Sequence, residues 1–431
     1  MVQYTGTFRG GDMKVGIFGG TFDPIHLGHI AIARAAKEQF GLDMVRIMPA
    51  RIPPHKQTKA VTEDVHRLMM ITLALPVGEG IELDLTEFER EGVSYTSDTL
   101  TLLHERHPGD TLYYIIGEDS LKDFVTWHEP KTIASLATIL VAVRSSDESH
   151  FQELLAKRNE EFGGVFKALS IPFRDVSSTD IRSEIAKAQG PHPALAERTD
   201  TYIRRFGLYG CKPYAIRRDT WKRYEELTEK LSGTISAHRL NHSKGVAFWS
   251  AELMSEWLEK EGLKGTAQEK QLVRKTLIAG LLHDCAKSMG EQETEAYLKK
   301  HRVRLSEEVL PIKGIHHGPA GRILARERYK IRDAEMLRAI GNHCDGSVDM
   351  AEHPIETAVF IADFTEPFRD HIPTPPLPVI RNMSLEDGTA GAEAVCSATI
   401  FYLKSIGSGI PNEMYRIHDR LKEKMKEKGK G

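Results

Sequence analysis

Gly16-Ile17-Phe18-Gly19-Gly20-Thr21-Phe22-Asp23-Pro24-Ile25-His26-Leu27-Gly28-His29 decides the reading of the first half of the chain. A β-type run, Lys14–Phe18, feeds a glycine turn and then a helical pattern carried by Ile30, Ala33, Arg34 and Lys37. His26 and His29 sit three apart where that helix begins, on one helix face. A helix N-terminus points free N–H groups and partial positive charge at whatever lies before it, and imidazole adds titratable positive charge. The arrangement suits a nucleoside triphosphate. It is not the Walker-type loop, since no Lys-Ser or Lys-Thr follows the glycines.

At 431 residues the chain predicts two or three domains. A 40% hydrophobic content supports sizeable cores, and 28% charged residues with a net charge of −3 read as a soluble protein with no nucleic-acid or membrane surface. The longest apolar runs, such as Ile139–Val143 and Leu277–Leu282, fall far short of the ~18 residues that span a bilayer. No N-terminal stretch joins basic residues to an apolar core, so no secretory signal is expected, and residues 1–13 read as a loose leader. Cys211, Cys285, Cys344 and Cys396 form no CxxC pair, which suits a reducing cytoplasm without disulfides.

Residues 14–210 alternate β-type runs with helical segments. The predicted strands are Lys14–Phe18, Met44–Met48, Ile81–Leu83, Leu112–Gly117, Thr138–Val143 and Val165–Leu169. Such alternation argues for an α/β, Rossmann-like domain: a parallel sheet, helices on both faces and ligands at the carboxyl ends of the strands. The chemistry-bearing residues fall at those ends. Pro49–Lys56 presents His55 and Lys56 on a proline-stiffened loop; Gly92–Leu100 reads as a helix start with Asp98 as its cap. Gly117-Glu118-Asp119-Ser120 is followed by Trp127, whose face suits a flat, electron-poor heterocycle. In Val176-Ser177-Ser178-Thr179-Asp180-Ile181-Arg182, hydroxyls cap a helix and Arg182 offers a fork of donors to phosphate.

These pieces resemble the HxGH nucleotidyltransferase superfamily, and in form they are similar to bacterial nicotinate-mononucleotide adenylyltransferases over roughly residues 14–210. The resemblance implies that the His55–Lys56 loop contacts phosphates, Thr96 the mononucleotide, Asp119 a ribose, and that Trp127 stacks on the pyridine ring. Gly19, Gly20, Thr21, Phe22, Asp23, Gly117, Arg144, Ser177, Ser178 and Thr179 complete the implied substrate-binding set. The 5′-phosphate of the mononucleotide would attack the α-phosphorus of ATP, releasing pyrophosphate and giving the adenine dinucleotide of NAD biosynthesis. His26, His29, Lys56, Arg182 and Mg²⁺ would align the groups and neutralise charge. The attacking phosphate is already ionised, so no side chain is needed for proton transfer. Nicotinate and nicotinamide mononucleotide both remain open as substrates. A cytidylyl or phosphopantetheine transfer competes with this reading, and the Ser94–Leu100 segment and Trp127 favour the pyridine nucleotide.

Over residues 211–220 the composition shifts to a linker punctuated by Lys212-Pro213-Tyr214, and residues 221–431 read as an all-α domain. Predicted helices include Thr220–Leu231, Lys244–Glu259, Lys270–Leu282, Pro319–Glu327, Ala334–Asn342 and Ile355–Phe364. Metal-type residues recur at their ends: His242, His283-Asp284, His316-His317, His343 and Asp363. Mixed imidazole and carboxylate donors suit Fe, Mn, Zn or Co better than Ca. Six such donors exceed one tetrahedral zinc, so two metals bridged by Asp284 is the expected count.

Asn241-His242-Ser243, Leu282–Lys287, His317-Gly318-Pro319, His343 and Ile361–Pro367 are similar to the HD-domain phosphohydrolases, and nearest to the bacterial branch that splits diadenosine tetraphosphate into two ADP. The resemblance, over about residues 235–370, implies His242, His283, Asp284, His317, His343 and Asp363 as ligands of two divalent ions, iron or manganese. His316 is then a neighbour of His317. Lys287, one helical turn after His283, would face bound phosphate, and a metal-bound hydroxide would attack the phosphoanhydride. Asn241 stands where the family often carries an acidic residue, which puts a hydrogen bond behind the first histidine, and the metal preference, in question. The tail opens with Pro373, Pro375, Pro376 and Pro378, then reads as helical and Lys-rich, with no assigned chemistry. The expectation is a bifunctional cytoplasmic enzyme acting on ATP, a pyridine mononucleotide and a dinucleoside polyphosphate, with no nucleic-acid or membrane partner. A nucleotide-sensing role for the helical half, or hydrolysis of another nucleotide by it, is the alternative, and a homo-oligomer is left open.

Overall fold

The computed structural model describes residues 12–52, 61–90, 92–143, 148–171, 176–188, 190–369 and 373–428. The chain clusters into two compact units, one built on residues up to 203 with 209–211, the other on 204–208 and the residues from 212 onward.

The first unit contains β1 (Lys14–Gly20), α1 (Leu27–Phe40), β2 (Met44–Pro49), α2 (Asp64–Ala74), β3 (Ile81–Leu83), α3 (Thr96–Arg106), β4 (Thr111–Gly117), α4 (Glu118–Asp123), α5 (Pro130–Leu136), β5 (Ala137–Ala142), α6 (Glu148–Phe162), β6 (Phe166–Leu169), α7 (Ser178–Lys187) and most of α8 (Glu197–Phe206). The strands form one sheet in the order β3-β2-β1-β4-β5-β6, and every pairing is parallel. Val15, Ile17, Ile139, Leu140 and Val141 are buried, the near-continuous apolar burial of strands covered on both faces. Leu100 and Leu103 of α3, Leu121, Phe124 and Ile133 share a core with Ile17, Ile139 and Phe166.

From β1 the chain runs outward through β2 and β3, then returns to the other side of β1 to lay down β4. That reversal opens a crevice between the carboxyl ends of β1 and β4, the ligand position in open α/β sheets. Gly20 and Gly117 end the two strands, each two residues beyond the paired Phe18 and Ile115.

The second unit is helical: α9 (Arg218–Ser232), α10 (Ala237–Lys260), α11 (Ala267–Leu282), α12 (Glu291–Lys300), α13 (His317–Glu327), α14 (Ala334–Asn342), α15 (Pro354–Thr365), α16 (Leu377–Glu386), α17 (Gly388–Ser405) and α18 (Asn412–Lys428). The long α10 packs along α11 and α15. Its Trp249 is fully buried, and the indole N–H donates to Thr365 Oγ1 at 2.9 Å, tying α10 to the end of α15. No helix among the described residues is long and apolar enough to cross a membrane.

Two local expectations are corrected. The helix after Ser94 starts at Thr96 with Tyr95 as its N-cap, so Asp98 lies in the first turn, and its carboxylate binds Arg90 at 2.7 Å instead of capping. The helix expected from Lys244 begins at Ala237, because Ser236 Oγ accepts the Arg239 N–H and caps it early. His242 therefore sits inside α10, not at a helix end.

Candidate active sites

At the crevice of the first unit, the Gly19–Asp23 loop leaves β1 and turns into α1 at His26, which is the helix N-cap. The His26 and His29 rings stack with centroids 3.7 Å apart. The His26 backbone N–H donates to His29 Nδ1 at 3.2 Å. A ring nitrogen that accepts is unprotonated, so His29 in this arrangement carries its proton on Nε2. The Leu27 N–H, one of the helix-terminal donors, is taken by the Ala194 carbonyl at 2.8 Å.

Helix α7 holds the loop from the other side. Ser177 caps it by accepting the Asp180 N–H. Ser178 Oγ donates to the Pro24 carbonyl at 3.0 Å, and Arg182 donates to the Asp23 carbonyl at 2.6 Å and to Thr179 Oγ1 at 3.2 Å. Part of the Arg182 fork is thus spent on the loop itself. The structure brings together Gly19–Asp23, His26, His29, Ser177–Thr179 and Arg182. Gly117 ends β4 beside them, and Asp119 is exposed on the first turn of α4. Thr96 Oγ1 lies 3.2 Å from Tyr114 Oη, and Trp127, half-buried, meets the Tyr114 ring edge-on at 6.2 Å. His55, Lys56 and Arg144 lie outside the described residues.

Several residues of this site carry no sequence signal. Tyr114 is one apolar-strand residue among others, yet its hydroxyl occupies the place of a side chain at Gly19: a Cβ there would collide with it. Burial pushes the Tyr114 phenol up to about 12. The fully buried Arg67 donates to the Thr21 carbonyl at 2.8 Å, and Tyr209 donates to Asp23 Oδ1 at 2.7 Å. Burial, followed by the adjacent Asp23 charge, raises the Tyr209 phenol, so it remains a donor.

In the second unit four imidazoles and two carboxylates converge. His242 comes from within α10, His283 follows the last residue of α11, His317 opens α13, His343 follows α14, and Asp363 is in the last turn of α15. Three of the rings are fixed alike: Nδ1 of His283 meets the Gly280 carbonyl at 2.7 Å, of His317 the Gly314 carbonyl at 2.9 Å, and of His343 the Ile340 carbonyl at 2.9 Å. A carbonyl only accepts, so each Nδ1 carries a proton and each Nε2 is the ring atom left facing the other histidines and the carboxylates. The fourth ring, His242, makes the same outward bond to Glu366 Oε1 at 3.0 Å.

The Nε2 atoms face one another, 3.2 Å apart for His242 and His283 and 3.1 Å for His317 and His343. Asp363 Oδ1 is 3.0 Å from His242 Nε2 and 3.6 Å from His283 Nε2. Asp284 Oδ1 is 3.0 Å from His317 Nε2 and 3.4 Å from His343 Nε2, while its Oδ2 is 3.9 Å from His283 Nε2. Two imidazole nitrogens ~2.0–2.1 Å from one ion stand roughly 2.9–3.4 Å apart at angles of about 90–110°. The observed donor spacing fits divalent cations, and the trios His242–His283–Asp284 and His283–His343–Asp363 have metal-site geometry. Asp284 faces both pairs of histidines.

Electrostatics reinforce the set. Both carboxyls are held well below the usual range: burial opposes this, but His283, His317 and His343 around Asp284, and His242, His283 and Arg369 around Asp363, outweigh it. Burial lowers His283. It also opposes charging of His242, which Asp363 and Glu366 nevertheless lift to about 9. Past Leu282 the backbone forms turns rather than the helix expected to carry Lys287, yet Lys287 Nζ still reaches His317 Nε2 at 3.1 Å. His316 points away and meets the Val309 carbonyl at 3.1 Å. Two neighbours escaped the sequence reading: Arg369, on Asp363 Oδ1 at 2.9 Å, and Cys344, whose Sγ lies 3.2 Å from Nε2 of both His317 and His343.

Two stretches of the chain match known families. Residues 17–184 match the cytidylyltransferase-like family and residues 239–367 the HD domain. The chain is 38% identical over 196 residues to a "Probable nicotinate-nucleotide adenylyltransferase" of Thermomicrobium roseum, 46% of this chain and 91% of that protein. It is 36% identical over 198 residues to the nicotinate-nucleotide adenylyltransferase of Bacillus subtilis, 46% of this chain and 98% of that protein. Among solved structures it is similar to a predicted HD superfamily hydrolase involved in NAD metabolism from Clostridium acetobutylicum, with 25% identity, a TM-score of 0.41, and coverage of 47% of this chain and 97% of that one. The chain belongs to the nicotinate-nucleotide adenylyltransferase family and carries an HD domain in the same polypeptide.

Proposed function

We propose that the chain is a bifunctional enzyme, with adenylyl transfer carried by residues 14–210 and metal-dependent phosphoanhydride hydrolysis by residues 221–431, joined through 211–220. In the first reaction nicotinate mononucleotide attacks the α-phosphorus of ATP, giving nicotinate adenine dinucleotide and pyrophosphate. The names of the relatives favour nicotinate over nicotinamide. His26, His29, Lys56 and Arg182, with Mg²⁺, would align the phosphates and offset their charge; no proton transfer is required of them. The His26 N–H bond to His29 Nδ1 supports this reading, since it fixes the His29 ring at the start of α1 beside the loop. Thr96, Asp119, Trp127 and Arg144 would bind the mononucleotide. The observation that carries the first activity is the clamp of α7 on the loop before α1, which joins the two motif segments.

For the second unit the carrying observation is the convergence of four inward Nε2 atoms on Asp284 and Asp363. His242, His283, Asp284, His317, His343 and Asp363 would hold two divalent ions, iron or manganese. When bound, these supply an acidified water and positive charge for a phosphoanhydride. Lys287 would meet the phosphate, and the substrate we infer is diadenosine tetraphosphate, split into two ADP.

Nucleotide chromatography tests both. Intact protein with ATP, Mg²⁺ and nicotinate mononucleotide should yield the dinucleotide and pyrophosphate. With diadenosine tetraphosphate under anaerobic Fe²⁺ or Mn²⁺ it should yield ADP alone, and none with EDTA. No cleavage with metals bound would sink diadenosine tetraphosphate as the substrate and leave a hydrolase of another nucleotide or a nucleotide sensor.

A further inference from the structure

We propose that Cys344 is a thiolate ligand of the same centre, completing a corner with His317, His343 and Asp284 that prefers zinc, cobalt(II) or iron(II) to manganese or magnesium. The inference rests on the metal centre proposed above and adds a donor of a different class to it.

Three observations carry it. Sγ of Cys344 lies 3.2 Å from Nε2 of His317 and 3.2 Å from Nε2 of His343. Both Nε2 atoms turn inward, because each ring meets a backbone carbonyl through Nδ1. A nitrogen ~2.0 Å and a thiolate ~2.3 Å from one ion stand roughly 3.0–3.5 Å apart, which matches the observed spacing. His317, His343 and Cys344 also form a metal-competent trio on their own. The neighbouring Cys285 does not compete for this role: its thiol turns to the Gly321 carbonyl at 3.5 Å.

The chemistry is a Lewis acid–base exchange. The sulfur–metal bond forms as the thiol proton leaves to solvent, and nothing is oxidised. Softness sets the preference, since thiolate favours borderline ions, while carboxylate and water suit magnesium and manganese.

The test loads the full-length protein with cobalt(II) anaerobically, measures bound cobalt, and records its spectrum. We expect a near-ultraviolet thiolate-to-cobalt charge-transfer band, retained in Cys285→Ser and lost in Cys344→Ser. Zinc should lose at least about ten-fold of its competitive advantage over manganese in Cys344→Ser, the scale on which groups tuning a metal site act. Alkylation followed by peptide mapping of the unmutated protein gives an independent readout: bound metal should protect Cys344 and leave Cys211 unaffected. Stoichiometric cobalt without the band, and with Cys344 unprotected, would overturn the thiolate ligand and leave the histidine–aspartate centre standing. Absence of bound cobalt would overturn both.

Discussion

Glu366 Oε1 stands 3.0 Å from His242 Nδ1, while Glu366 Oε2 accepts the Phe368 N–H at 2.7 Å. The carboxylate that orients the first histidine thus comes from the end of α15, and Asn241 leaves no gap behind it. A carboxylate behind a ligating imidazole fixes its tautomer and raises its basicity. Glu366→Gln keeps the shape and removes the charge, so affinity for divalent metal should fall about 10- to 100-fold. Competition against a chromophoric chelator measures this, and an unchanged affinity would remove Glu366 from the site.

Gly245, one turn after His242 in α10, is where Glu366 fits: a Cβ at that position would collide with Glu366 Oε2. By helix propensity alone, Gly245→Ala should stabilise by about 1 kcal/mol. The collision should reverse the sign, lowering the melting temperature and metal content together. Adding Glu366→Ala should restore stability but not metal, so a stable single variant with full metal would refute the packing argument.

The two activities should separate by mutation. Replacing His26 and His29 by Ala should lower adenylyl transfer at least about 100-fold, the scale of lost charge stabilisation, with metal content and hydrolysis unchanged. Asp284→Ala, which removes the carboxylate facing both histidine pairs, should abolish hydrolysis and reduce bound metal while transfer persists. Product chromatography and metal analysis on each variant decide the matter; loss of both activities from either change would rule out independent sites.

The sheet was legible because parallel strands buried on both faces announce themselves as apolar runs, as in β2, which starts at Met44 where the pattern placed it and is buried throughout. Helix ends were less so: the apolar periodicity of α10 is plain from Lys244, but its start depends on Ser236, a single capping hydroxyl. At the sites, residues that act through chemistry peculiar to their type, such as the histidines, stood out. Tyr114, Arg67 and Glu366 did not, since their importance lies in which backbone or ring they touch across a long sequence separation. Cys344 was hidden differently, as a lone thiol whose meaning depends on two imidazoles from separate helices.

Arg205 meets three carboxylates, Glu252 at 2.5 Å, Glu256 at 2.8 Å and Glu259 at 2.7 Å, and its Nε also donates to Tyr214 Oη. Lys264 also meets Glu259 at 2.9 Å, which leaves the fully buried Glu252 with Arg205 alone, shared with Glu256 and Glu259. Burial therefore lifts Glu252 to about 7 despite the attraction of Arg205, with Glu256 and Glu259 adding repulsion. A carboxyl raised in the folded state contributes stability that is full below its unfolded value of 4.5 and is lost as pH rises through 7. Glu259, held low, acts in the opposite sense and only below its ordinary range, outside that window. Stability of the second unit should thus fall between pH 5 and 7, by on the order of 3 kcal/mol if Glu252 dominates. Glu252→Gln keeps Glu256 and Glu259 on Arg205 and removes the titration. It should flatten that slope and raise the melting temperature at pH 8. Denaturation across the range distinguishes the cases, and a slope retained in the variant would assign it to another group.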